Sequence, residues 1–153
     1  MDSEKSRSEF IVAPILLAAR ELTGNRFAIY SGQRLDVDPE RGLTGECDFI
    51  LSASEAVLPL QAPIMTMVEG KKNDIEGGLG QCIAQMVAAH LFNQSSGLTG
   101  APVFGCVTTG EAWQFLRLAD KEALLDQRRY YIDAIGLILA AIGSIVNESR
   151  PAA

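Results

Sequence analysis

From residue 8 to residue 22, Ile11, Ile15, Ala18 and Leu22 recur at steps of three and four, which predicts one buried face of a helix. Ser8 stands where an N-cap would, and Thr23-Gly24-Asn25 closes the run. Pro14 is awkward in a helix interior and predicts a kink or a late start. The period then changes to two. Phe27 to Ser31 predicts a short strand, and Leu43 to Ser52 a second. In the second, strict alternation puts Glu46, Asp48 and Ile50 on one face and Cys47, Phe49 and Leu51 on the other. Pro63 to Lys71 predicts a third strand, with Met65, Met67, Glu69 and Lys71 on one face and Ile64, Thr66 and Val68 on the other.

Asn73 or Asp74 caps a second helix that runs to about Phe92, with Leu79, Ile83, Met86 and His90 as its stripe and Gln81 and Gln85 one turn apart beside it. Val103 to Thr108 and Trp113 to Leu118 form a hairpin through Thr109-Gly110-Glu111. A last helix is expected from about Gln127 to Val146. It carries two apolar stripes, one through Ile135, Leu139 and Ile142 and one through Leu137, Ile138 and Ile145, so it needs two partners. The sheet is one. The other is either the first helix or a second copy of the chain, in a homodimer through this C-terminal helix. The element order is αβββαββα, an α/β fold with a mixed sheet flanked by helices. With 153 residues and no repeat or linker, residues 1–153 are expected to form a single domain.

Composition narrows the chemistry. Three cysteines, Cys47, Cys82 and Cys106, are widely spaced and odd in number, which argues against a disulfide framework or zinc ribbon and predicts a reducing, cytoplasmic setting. The opening MDSEKSRSEF lacks the apolar stretch of a secretory signal, and no membrane span is expected. The single histidine, His90, excludes an HExxH helix and any two-histidine metal site. The DVDPE run is no EF-hand, because a loop opening at Asp36 puts Arg41 where glycine is required and Cys47 where glutamate is required. A net charge of −6 works against broad nucleic-acid binding, so any such contact rests on a local patch drawn from Lys71-Lys72, Arg117, Lys121 and Arg128-Arg129.

One constellation stands out. The third strand starts apolar and ends in Glu69-Gly70-Lys71, so two charged residues share a face at the end of a core strand. If the second strand lies beside it, Asp48 and Glu69 converge. Two close carboxylates invite a hard cation, most naturally Mg²⁺. Lys71 can then orient water or balance charge on a phosphate. The bland rival is a buried salt bridge between strands. Glu46 is either a helper acid or a solvated strand end. Trp113 and Phe115 either stack on bases or pack in the core.

GECDFIL, MVEGKKND and GLGQCIAQM together resemble the PD-(D/E)XK nuclease superfamily, and VFGCVTTGEAWQFLRL resembles the hairpin after the nuclease core in the N-terminal region of type I restriction subunits. The resemblance implies a restriction-endonuclease-like core, αβββαβ, followed here by an extra C-terminal strand and helix. It implies metal-dependent phosphodiester hydrolysis of nucleic acid, DNA first. Asp48, Glu69, Lys71 and Gln81 would be catalytic. Asp48, Glu69 and Gly70 would hold Mg²⁺ or Mn²⁺. A first-helix glutamate, Glu9 or Glu21, would join them. Gly70 departs from the apolar residue usual at its position, and Cys47 from the usual proline. No specificity domain is visible, so a partner protein would supply targeting. The alternative is a nuclease-like module that binds nucleic acid or protein without cutting.

Overall fold

A computed structural model of the chain describes residues 3, 6, 8–53, 60, 62–71, 74–98 and 100–149, without the side chains of Ser8 and Glu9. A π turn, Ser8–Val12, leads into helix α1, Ala13–Leu22. Pro14 falls in the first turn of α1, where a missing N–H costs nothing. Of the two readings of Pro14, the late start holds.

Six strands follow in one sheet: β1 (Ala28–Arg34), β2 (Glu46–Ser52), β3 (Ile64–Gly70), β4 (Val103–Thr108), β5 (Ala112–Ala119) and β6 (Glu122–Tyr131). They lie in sequence order across the sheet. Only β3 and β4 are parallel, and helix α2 (Glu76–Ser95) connects them. All other neighbours are antiparallel. Helix α3, Ile135–Glu148, ends the described chain. The expected α/β class with a mixed sheet flanked by helices is therefore present.

Two apolar clusters fill the two faces. One packs Val12 of the π turn, Leu16 and Ala19 of α1 and Ile138, Ile142 and Ile145 of α3 against Phe49, Leu51, Phe104, Trp113 and Phe115. The other packs Cys82, Met86 and Ala89 of α2 against Ile50, Met67, Val103 and Val107. Trp113 is wholly buried and donates its indole N–H to Gly110 O at 3.1 Å; Phe115 is buried edge-on to Tyr130, ring centroids 5.5 Å apart. Both aromatics are core residues, not a stacking surface.

Three expectations need correction. First, the last helix does not begin at Gln127. Residues 127–131 belong to β6, which pairs with β5, and α3 starts at Ile135. The EALLDQRRYY segment is rich in helix formers, and pairing with β5 overrides that preference. Second, Met65 does not share a face with Met67. Leu51 pairs with Thr66 and Ser52 with Ile64, so Met65 is an extra residue in a bulge. It turns into the α1/α3 cluster with Val68, while Ile64 joins Met67 beneath α2. Third, Cys47 packs with Ile50 beneath α2, not with Phe49. Gly32 of β1 takes a left-handed φ of 64° opposite this stretch, which glycine allows without strain.

Candidate metal centre

Two side-chain contacts set the site. The pairing of β2 with β3 runs as far as Phe49 and Val68, and beyond it Asp48 meets the Gly70 N–H through its side chain. Glu69 is reached by Gln85 of α2, on the side where Met67 packs with Cys82 and Met86.

Glu69 is 5% exposed. Its carboxylate accepts a hydrogen bond from Gln85 Nε2 at 3.2 Å and lies 4.0 Å from Lys71 Nζ. A buried carboxylate requires such partners. Asp48 is half-buried, and its Oδ2 accepts a hydrogen bond from the Gly70 N–H at 2.8 Å. Asp48 thus holds the backbone at the point where β3 ends. Lys71 continues the alignment with β4 by donating its backbone N–H to Thr108 O at 2.8 Å. Its side chain then lies across the start of α2, where a Cβ on Gly78 would come within 2.8 Å of Lys71 Cγ and of Val107 Cγ1. The glycine-rich first turns of α2 are what admit the lysine stem between helix and sheet.

The local field is negative. Burial pushes the Cys47 thiol up to about 11, and the carboxylates of Glu69 and Asp48 add to the rise. Glu46, at the exposed start of β2, contributes further and reaches toward Gly32.

Sequence reasoning expected Asp48, Glu69, Gly70 and Lys71 at one place; the structure sets Asp48 against Gly70 and Lys71 near Glu69. That reasoning did not distinguish the two glutamines of α2. Gln85 contacts Glu69, whereas Gln81, one turn earlier, is exposed. Glu21 is exposed in the last turn of α1, on the opposite side of the sheet; the Glu9 side chain lies outside the described residues. Lys72 and Asn73 also lie outside them. Two of the remaining basic residues are paired with acids. Arg129 bonds Gln114 and pairs with Glu76 at the start of α2, while Arg117 pairs with Glu148 of α3 at 3.4 Å. His90 is half-buried and lines a separate groove with Arg117 and Lys121.

Among the described residues, no three His, Cys, Asp or Glu side chains form a metal cluster. Magnesium does not require one: it takes one or two carboxylates and keeps several waters. The half-buried Asp48 and the buried Glu69, near the end of β3, are the two carboxylates that would hold such an ion.

The fold and this cluster define an α/β protein with a carboxylate pair and a lysine at the end of a central strand. Comparison of the chain with protein-family models, curated proteins and solved structures finds no match. No described helix is long and apolar enough to cross a membrane.

Proposed function

We propose that this chain is a metal-dependent phosphodiesterase of the PD-(D/E)XK type acting on nucleic acid, with DNA as the leading substrate. The observation that carries the reading is the contact of Asp48 with the Gly70 N–H at 2.8 Å, next to Glu69, whose carboxylate lies 4.0 Å from Lys71 Nζ. The β3–α2–β4 unit and the antiparallel β1–β2–β3 arrangement support a restriction-endonuclease-like core. Asp48 and Glu69 would hold Mg²⁺ or Mn²⁺, with Gly70 at the strand end beside them. When bound, the ion supplies Lewis-acid charge and an activated water. The residues of the chain do the rest: Lys71 balances negative charge on the phosphate oxygens, and Gln85 fixes the Glu69 carboxylate. The test is cleavage of single- and double-stranded DNA in Mg²⁺ by the wild type and by Asp48→Asn. Metal-dependent cleavage lost in the variant supports the reading. Cleavage equal in both proteins refutes it, because it comes from another source.

A second reading has its own observation. Glu69 already has Lys71 and Gln85 as partners, the pattern of a structural ion pair. On that reading the chain binds nucleic acid or protein without cutting, and it takes up no metal.

We also propose a cytoplasmic homodimer, with any targeting supplied by a partner protein. All three cysteines are free and buried, as in a reducing compartment. Ile135 and Leu137 of α3 are each 43% exposed, which leaves one side of this helix for a second copy. Ile142 is core, so a charge there unfolds the domain. Leu137→Arg should instead yield a folded monomer by analytical ultracentrifugation, and a wild-type monomer at micromolar concentration would end the dimer proposal.

A further inference from the structure

Helix α2 carries Gln85 and covers the stem of Lys71, so the site depends on where the first turns of this helix sit. Those turns are weak by sequence. Gly77, Gly78 and Gly80 are poor helix formers, and Ile75 at the N-cap makes no side-chain capping bond. The fit is close nonetheless, because a Cβ on Gly78 would come within 2.8 Å of both Lys71 Cγ and Val107 Cγ1.

A support for the first turn comes from the far side of the sheet. Glu69 pairs with Val107, Val107 with Gln114 and Gln114 with Arg129, a row that crosses β3, β4, β5 and β6. Gln114 is buried. Its Nε2 donates to Asp126 O at 2.5 Å, in the stretch where the β5–β6 register shifts. That bond leaves Oε1 for Arg129, whose Nε donates to it at 2.9 Å. The guanidinium donates in turn through Nη2 to Glu76, the first residue of α2. Asp74 steadies Glu76 from the other side, accepting its N–H at 3.1 Å. The side chains of Arg129 and Glu76 are 34% and 62% exposed, and an exposed ion pair alone contributes little. Here the buried Gln114 fixes the guanidinium in advance, so less freedom is lost when it meets Glu76.

We propose that Gln114 and Arg129 are positioning residues: through Glu76 they hold the start of α2 where Lys71 and Gln85 meet Glu69. Strands β5 and β6, which lie beyond the αβββαβ core, thereby support the site. Arg129 stands three strands from Glu69, on the order of 14 Å at the usual spacing of neighbouring strands. It therefore acts on the carboxylate through the helix and not by contact. The effect on rate rests on the nuclease reading above; the effect on the helix does not.

The test is amide exchange in the full chain, comparing the wild type with Arg129→Met and with the exposed change Glu76→Gln, which breaks the same link from its other end. The Gly78 N–H, which bonds Ile75 O at 2.9 Å, and the Gly80 N–H should exchange about fivefold faster or more in each variant, with Met86 and Ala89 unchanged. The double variant should be no faster than Arg129→Met, because both changes cut one link. The Lys71 side-chain ¹³Cε signal should shift in both single variants. Unchanged exchange at Gly78 and Gly80, or a rise spread evenly over α2, overturns the proposal. In Mg²⁺ the kcat of Arg129→Met should fall about tenfold with KM held. A raised KM with kcat held means that Arg129 touches the substrate, and also overturns it. Faster exchange in the variants of a wild type that does not cleave removes the nuclease reading and keeps the link. Cleavage by the wild type, with wild-type exchange in both variants, removes the link alone.

Discussion

The two faces of the sheet are covered in different ways. On one face, two helices press Leu16, Ile138 and Ile142 against Phe49, Phe104 and Trp113. On the other, one helix covers the sheet, and much of its surface is glycine and alanine: Gly78, Ala88 and Ala89 are buried. Small side chains bring the helix backbone close and leave narrow spaces that longer polar groups fill. Lys71 lies over Gly78, Gln85 reaches Glu69, and Asn93 pairs with both backbone groups of Ile64 at 2.7 and 2.9 Å. The first face supplies stability by apolar burial. The second mixes core packing with polar side chains, and all the candidate chemistry lies there.

Substitutions should separate the faces. The largest stability loss is expected from Trp113→Ala, about 3–5 kcal/mol in urea denaturation, because the side chain is wholly buried. Lys71→Ala acts chiefly on rate. Metal affinity is nearly kept, and the cleavage rate falls about 10²–10³-fold, equivalent to roughly 3–4 kcal/mol, the size of one lost charged contact in a transition state. A Lys71→Ala protein that cuts at the wild-type rate would reduce this lysine to a structural cation. Asn93→Ala should cost about 1–3 kcal/mol, because it strips both Ile64 backbone groups of their partner. Gly78→Ala should cost a similar 1–3 kcal/mol by overpacking and also displace Lys71, so its rate falls along with its melting temperature.

The smallest effect concerns pH. The Arg34 guanidinium, with the Thr44 hydroxyl, lowers the Asp36 carboxyl to about 2 from its ordinary 3.8. A depressed carboxyl stabilises above its unfolded-state value and loses that contribution as pH falls through its folded one. The connection from β1 to β2, where Asp36 accepts the Gly45 N–H, should therefore loosen between about pH 4 and pH 2, seen as faster amide exchange at Gly45. Asp36→Asn should remove that step.

Much of this was legible in the residue pattern. Strand β3 shows itself as an apolar run ending in charge, and Asp48 amid Phe49, Ile50 and Leu51 is the only acid in such surroundings on β2. The site residues follow from those two strands. The bulge at Met65 was not legible, because a run of apolar residues carries no mark of where a strand takes one extra residue. Nor was the choice of Gln85 over Gln81. It depends on how far the helix has turned by the time it crosses β3, and glycines at its start blur its phase. Strand β6 was misread because its first seven residues are exposed, so no alternation between buried and exposed positions marks it.

Calorimetric titration with Mn²⁺ tests the carboxylate pair most directly. The wild type should bind with measurable heat, and Asp48→Asn should lose most of that affinity, because it removes one formal charge from the ion's cage while keeping the shape of the side chain. Absence of Mn²⁺ uptake by the folded wild type, or equal uptake by both proteins, would contradict a metal centre on Asp48 and Glu69.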